Sequence, residues 1–167
     1  MSGRSQVAAA YQLSKEYLYM SSQTAREVRY SAPVQKAAAA VAIVFLLIGV
    51  LGFIPGVTTN FDDLAFATDD SKAELLGLFQ VSILHNIVHL LFGVAGLIMA
   101  RTAAQARNYL VFGGVIYFVL FLYGIIVGQE SAANFVPVNS ADDILHLVLA
   151  IGMVGLGLAL GRRDRVV

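Results

Sequence analysis

Three histidines and two aspartates carry whatever chemistry this sequence can do. His85 and His89 are four residues apart, Asp142 and His146 are four apart, Asp143 follows Asp142, and Asn86 sits beside His85. On a helix a spacing of four stacks two side chains on one face. Four uses fit those residue types. The plainest is an interhelical hydrogen-bond cluster of His85, Asn86, His89, Asp142, Asp143 and His146. Each such bond within a membrane averages only about 0.6 kcal/mol, yet it can select one packing over others. A divalent metal held by His85, His89, His146 and Asp142 matches the ligand types that zinc and copper take. Haem b with one histidine from each of two helices is a third use, and a proton or ion path is a fourth.

The elements that must position these residues are membrane helices. Of 167 residues, 58% are hydrophobic and 13% charged, against about a quarter charged in a soluble domain. Val81 to Ala100 is a run of twenty residues without a charge, about 30 Å long as a helix, which is the thickness of a bilayer's hydrocarbon core. Ser82, His85, Asn86, His89, Gly93 and Gly96 form a polar and small-residue stripe along it, and such a stripe faces protein rather than lipid. Further spans are expected at Ala37–Ile54, closed by Pro55-Gly56, at Tyr109–Val127 and at Ile144–Leu160. The third aligns Gly113, Tyr117, Phe121, Gly124 and Gly128, and the fourth aligns Asp142, His146, Ala150, Gly157 and Gly161. Small residues of this kind let helices approach closely. The expected fold is all-α, a four-transmembrane-helix bundle with a helical N-terminal cytoplasmic extension.

The connections complete the plan. Residues 1–32 are too polar to span; Val7 to Met20 reads as a helix with Val7, Ala10, Tyr11 and Leu18 on one side and Lys15 and Glu16 on the other. This segment either lies on the surface or docks on a larger membrane complex through Tyr11, Tyr17, Leu18, Met20 and Tyr30. Residues 33–161 form the membrane domain, and residues 162–167 a basic tail. Ser71-Lys72-Ala73-Glu74 reads as a capping box that begins a helical turn, and Asn139 or Ser140 as the cap of the last helix. The first apolar segment starts too late for a cleaved signal peptide.

Charge orients the bundle. Ten of the eleven Lys and Arg residues fall in the N-terminal segment, the 101–108 connection and the C-terminus, while the other two connections carry Lys72 and eight of the eleven acids. The positive-inside rule then puts both termini in the cytoplasm. His85 and His146 would lie on the order of 5 Å below the outer boundary, with His89 one turn deeper.

Several functions have no support. Without cysteine there is neither a disulfide nor a thiolate site. The acidic loops lack calcium-loop spacing, and no phosphate-loop, dinucleotide, nucleophile-elbow or H-E-x-x-H pattern occurs. Nothing points to nucleic acid as a partner or to catalytic residues, so the chain reads as a non-enzyme.

Leu78-Phe79-Gln80 followed by His85-Asn86-x-x-His89-x-x-x-Gly93, and later Asn139-x-Ala141-Asp142-x-x-Leu145-His146, resembles the signature segments of a bacterial four-helix membrane family, the domain of unknown function 4383. The resemblance runs from Lys36 to Gly161. It implies four spans and a bacterial inner membrane, and it implies no activity. The functional reading is therefore an accessory subunit or scaffold of a membrane complex; the alternative is a metal- or haem-binding membrane protein using the His/Asp cluster.

Overall fold

The structure, a computed structural model, describes residues 3–27, 32–68, 70–127, 131 and 133–161, with side chains absent from the description for 3–5 and 22–27. The chain divides into two compact units, Met1–Ser31 and Ala32–Val167. The first is a single helix, α1 (Gly3–Glu27), longer at both ends than its apolar pattern implies. Ser14 and Ser21 donate to the carbonyls of Tyr11 and Leu18 one turn back, so their hydroxyls stay inside the helix's own bonding, and the Lys15 ammonium lies 4.9 Å from the Tyr11 ring centroid. Tyr30 and the 162–167 tail lie outside the described residues.

The second unit holds α2 (Pro33–Leu51), a small sheet, α3 (Ile83–Met99), α4 (Ala103–Ile126) and α5 (Ser140–Leu160). Three of these, α2, α4 and α5, are long and apolar enough to cross a membrane; α3 is a shorter apolar helix of 17 residues. Length and apolarity of this kind mark a membrane protein. The closest packing is within two pairs, α2 on α3 and α4 on α5, with α2 also reaching α4 and α5.

Glycine makes those two pairs possible. A Cβ on Gly93 would lie 2.8 Å from the Ala42 carbonyl of α2, and one on Gly49 would lie 2.9 Å from the Asn86 carbonyl of α3. In the other pair a Cβ on Gly114 would meet the Ala150 carbonyl at 2.9 Å. Backbones that close gain dispersion contacts along the seam, which is what holds helices together where lipid removes the hydrophobic drive. Gly152 and Gly155 of α5 have open space instead.

The segment between α2 and α3 departs most from the sequence reading. Ser71–Glu74 begins no helix. Thr58–Thr59 (β1), Glu74–Leu75 (β2) and Phe79–Gln80 (β3) form a three-stranded antiparallel sheet, with Thr58 opposite Leu75 and Leu75 opposite Phe79. Ser71 fails as a cap because its hydroxyl is used elsewhere, donating to the Val81 carbonyl at 2.6 Å and accepting from Ala65 N at 3.3 Å. Ala73, Leu75 and Val81 are buried beneath the sheet against Ile48 and Leu51 at the end of α2. Three residues, 76–78, join β2 to β3, and Leu76 (φ 57°) and Gly77 (φ 66°) take left-handed backbone there.

This cap region also starts α3 two residues later than the apolar run suggests. The first N–H groups of a helix have no partner within it. Here Ile83 N and Leu84 N donate to the Ala65 and Phe66 carbonyls at 3.0 and 2.9 Å, and His85 N donates to the Ser82 hydroxyl at 3.1 Å. At the other end Gln35 of α2, 4% exposed, donates from Nε2 to the carbonyls of Ala100 and Arg101, just past α3. Both ends of the short helix are thus satisfied by protein.

The glycine contacts give a differential test. Gly93→Ala and Gly114→Ala each force backbone apart and should cost about 1–3 kcal/mol. Gly152→Ala should be neutral or slightly stabilising, since alanine is the better helix former. Unfolding of the detergent-solubilised variants, followed by loss of helical circular dichroism, measures the difference.

Candidate functional site

The capped end of the second unit gathers most of the polar residues singled out in the sequence. Asn139, with extended backbone, caps α5: its side-chain oxygen accepts from Ala141 N at 2.9 Å and Asp142 N at 3.0 Å. Asp142 answers with a carboxylate oxygen that accepts from Asn139 N at 3.0 Å, which completes a reciprocal capping box. The same oxygen accepts from Gln80 N at 3.0 Å. One carboxylate thus closes the start of α5 and fastens the last strand of the cap to it. Asn139 adds a second tie, donating from Nδ2 to the Leu78 carbonyl at 2.9 Å, and Thr68 N donates to Phe135 O at 2.9 Å between the two connecting segments.

Below this junction the imidazoles meet across a space rather than along a helix seam. His85, His89, His146 and Asp142 are all buried, and all four line one cavity of about 240 Å³ bounded by α2, the sheet, α3 and α5. The His85 and His89 rings stack, 4.6 Å apart and 13° from parallel. His89 Nδ1 lies 3.0 Å from the His85 carbonyl, a bond that requires its proton on Nδ1 and leaves Nε2 as the acceptor of a neutral ring. His85 Nδ1 and His146 Nδ1 are buried with no hydrogen-bond partner. Polar nitrogens in that state are uncommon, and each calls for an explanation.

The remaining cluster members go elsewhere. Asn86 turns from the cavity towards α2, where its amide occupies the place a Gly52 side chain would take, and neither amide atom finds a partner. Asp143 faces α4, with Oδ1 in the space above Gly124. The six residues therefore do not form one connected network. Among the described residues no group of three or more His, Cys, Asp or Glu comes together so as to hold a metal ion.

Several residues of the site are not singled out by spacing alone. Phe45 of α2 lies beneath the cavity, its ring 5.6 Å from His89, 4.9 Å from Phe92 and 5.3 Å from Tyr117. Tyr117 in turn lies 5.3 Å from His146. Its place on the third span's stripe signals that it faces inward; nothing in the sequence signals Phe45, which sits in an unbroken apolar run. Gln80 enters through its backbone N–H, which no side-chain pattern can reveal. Tyr123 of α4 bonds the second connection: its hydroxyl donates to the Ala133 carbonyl and accepts from Phe135 N at 3.1 Å.

Apolar helices of spanning length, capped at one end over a cavity of histidines, define a helical membrane protein with a polar chamber at one end. The family model for the domain of unknown function DUF4383 matches residues 35–159, and the chain belongs to that family. The match takes in α2 to nearly the end of α5 and leaves out α1. No curated protein and no solved structure matches the chain.

Asp142 gives the sharpest test of this junction. Asp142→Ala leaves Gln80 N and Asn139 N without their acceptor and should cost about 1–3 kcal/mol, the range for stranding buried donors. Asp142→Asn keeps an amide oxygen in place and should recover most of that loss. Limited proteolysis of the 57–81 segment, together with thermal unfolding in detergent, distinguishes the two variants.

Proposed function

We propose that this chain is a four-span protein of a bacterial cytoplasmic membrane and serves as a non-catalytic accessory subunit, docking on a larger membrane protein through α1. The short α3 counts as the fourth span because its polar first turn is housed by the cap, so its remaining length needs to match only a locally protected part of the bilayer. Four spans put both termini on one side, and the lysine and arginine distribution makes that side the cytoplasm.

One observation carries the docking role. α1 keeps Val7, Tyr11, Leu13, Tyr17, Leu18, Tyr19 and Met20 each more than half exposed, on a helix that forms a compact unit by itself. Those side chains fall on more than one face. A helix that lies flat on lipid concentrates its apolar residues on one side and lysine and arginine on the other. Tyrosine and methionine spread around a helix fit a protein groove better, because such residues are enriched in the buried centres of interfaces. The absence of any catalytic motif agrees with an accessory role.

Two measurements test the proposal. The chain contains no cysteine, so single substitutions report position without background. Asp70→Cys should react with an impermeant maleimide on intact cells, and Thr102→Cys should react only after permeabilisation; the reverse pattern, or reaction of both, rejects the topology. Native electrophoresis of gently solubilised membranes should show the full chain in a large assembly. Deleting residues 1–32, or combining Tyr11→Ala with Tyr17→Ala, should release it as the small form. A full chain that runs only as the small form rejects docking.

A further inference from the structure

We propose that the histidine cavity binds the ring of a quinone or quinol that enters sideways from the bilayer. The proposal stands on the four spans described above and does not depend on α1 having a partner.

The walls define what fits. On α2 and α5 the lining is aliphatic, with Val44 half exposed and Ile48, Leu145 and Leu149 partly so, while Leu76 of the β2–β3 turn is exposed at the capped end. α2 and α5 are both long and apolar enough to span, so an apolar molecule in the bilayer would reach these residues directly. The other end carries the polar side chains: the imidazoles of His85, His89 and His146 and the carboxyl of Asp142. An entering molecule must therefore be apolar at one end and hydrogen-bonding at the other.

Charge and shape narrow the head group. No lysine or arginine lines the cavity among the described residues, while Asp142 does. A buried phosphate or fatty carboxylate would then lie beside a carboxyl group without a counter-charge, which is costly. An uncharged head meets no such penalty. A neutral imidazole offers one donor and one acceptor, so the pair matches a hydroxyl that gives a proton to one ring, or a carbonyl that accepts from one. Phe45, Phe79 and the stacked His85–His89 pair present flat surfaces, which favour a flat ring over a branched head. Size agrees: an apolar cavity of about 150 Å³ holds benzene, so about 240 Å³ admits a substituted six-membered ring with two oxygens. The isoprenoid or alkyl tail then lies along the α2–α5 groove.

The test uses the purified full chain in mild detergent and a decyl-substituted benzoquinone and its quinol as probes, with oleate and decanol as comparators, all followed by titration calorimetry. Saturable binding of one probe per chain is expected, with oleate and decanol at least tenfold weaker. His85→Leu combined with His146→Leu should weaken the quinone at least tenfold. Leu149→Trp leaves both imidazoles in place and fills the aliphatic side of the cavity, so it should do the same even if the histidine variant does not fold. Oleate or decanol binding as tightly as the quinone, no saturable uptake of either probe, or unchanged affinity in Leu149→Trp would each overturn the assignment.

Discussion

The carboxylate of Asp142 is the join on which the capped end depends. Its oxygen takes the N–H of Gln80 from the first connection and the N–H of Asn139 from the second. Each such bond contributes about 0.5–1.5 kcal/mol net. They matter most where water is scarce, because a backbone donor without a partner there has no alternative. With that oxygen in place, β3 is held against the start of α5, and the sheet is fixed above the histidines. Ser71 and Ser82 do related work within the first connection, and the Asp142 and Asn139 side chains reach from the start of α5 to the sheet and its turn.

A second constraint works lower in the unit. Glycine brings α2 against α3 and α4 against α5 until carbonyl oxygens of one helix occupy the space of a missing Cβ on the other. Between the two pairs the filling is different. Phe45, Phe92, Tyr109 and Tyr117 meet in tilted, stacked and edge-to-face contacts with centroids 4.9 to 5.7 Å apart. Such geometries suit the quadrupoles of the rings and add to simple burial. Large side chains hold the pairs apart as well as together. Phe45 and Tyr117 carry this aromatic filling up to His89 and His146, beside the cavity that Phe45 also lines.

That arrangement explains which parts of the structure were legible in the sequence. Long apolar runs and glycine spacing are properties of single segments, so α2, α4 and α5, and the inward faces of Gly93, Gly113 and Gly124, could be read directly. The four-residue spacings also placed His85 with His89 and Asp142 with His146 on their faces. The cap was misread because its strands are two residues long and lack alternation, and because Ser71 and Glu74 imitate a helix start. What decides against that helix is the Val81 carbonyl, ten residues away, which takes the Ser71 hydroxyl. Asn86 and Asp143 were grouped with the histidines by proximity in sequence, yet one faces Gly52 and the other Gly124. Side-chain direction across a helix interface depends on the partner's small residues, and a single-segment pattern does not contain them.

The unpartnered imidazole nitrogens make sense only with both constraints in view. Had the cap been absent, water would reach them. Aromatic rings below and a fastened sheet above enclose a cavity along which the imidazoles are buried. A buried polar group without a partner costs stability, and the His85 and His146 Nδ1 atoms carry that cost where the cap meets the spans.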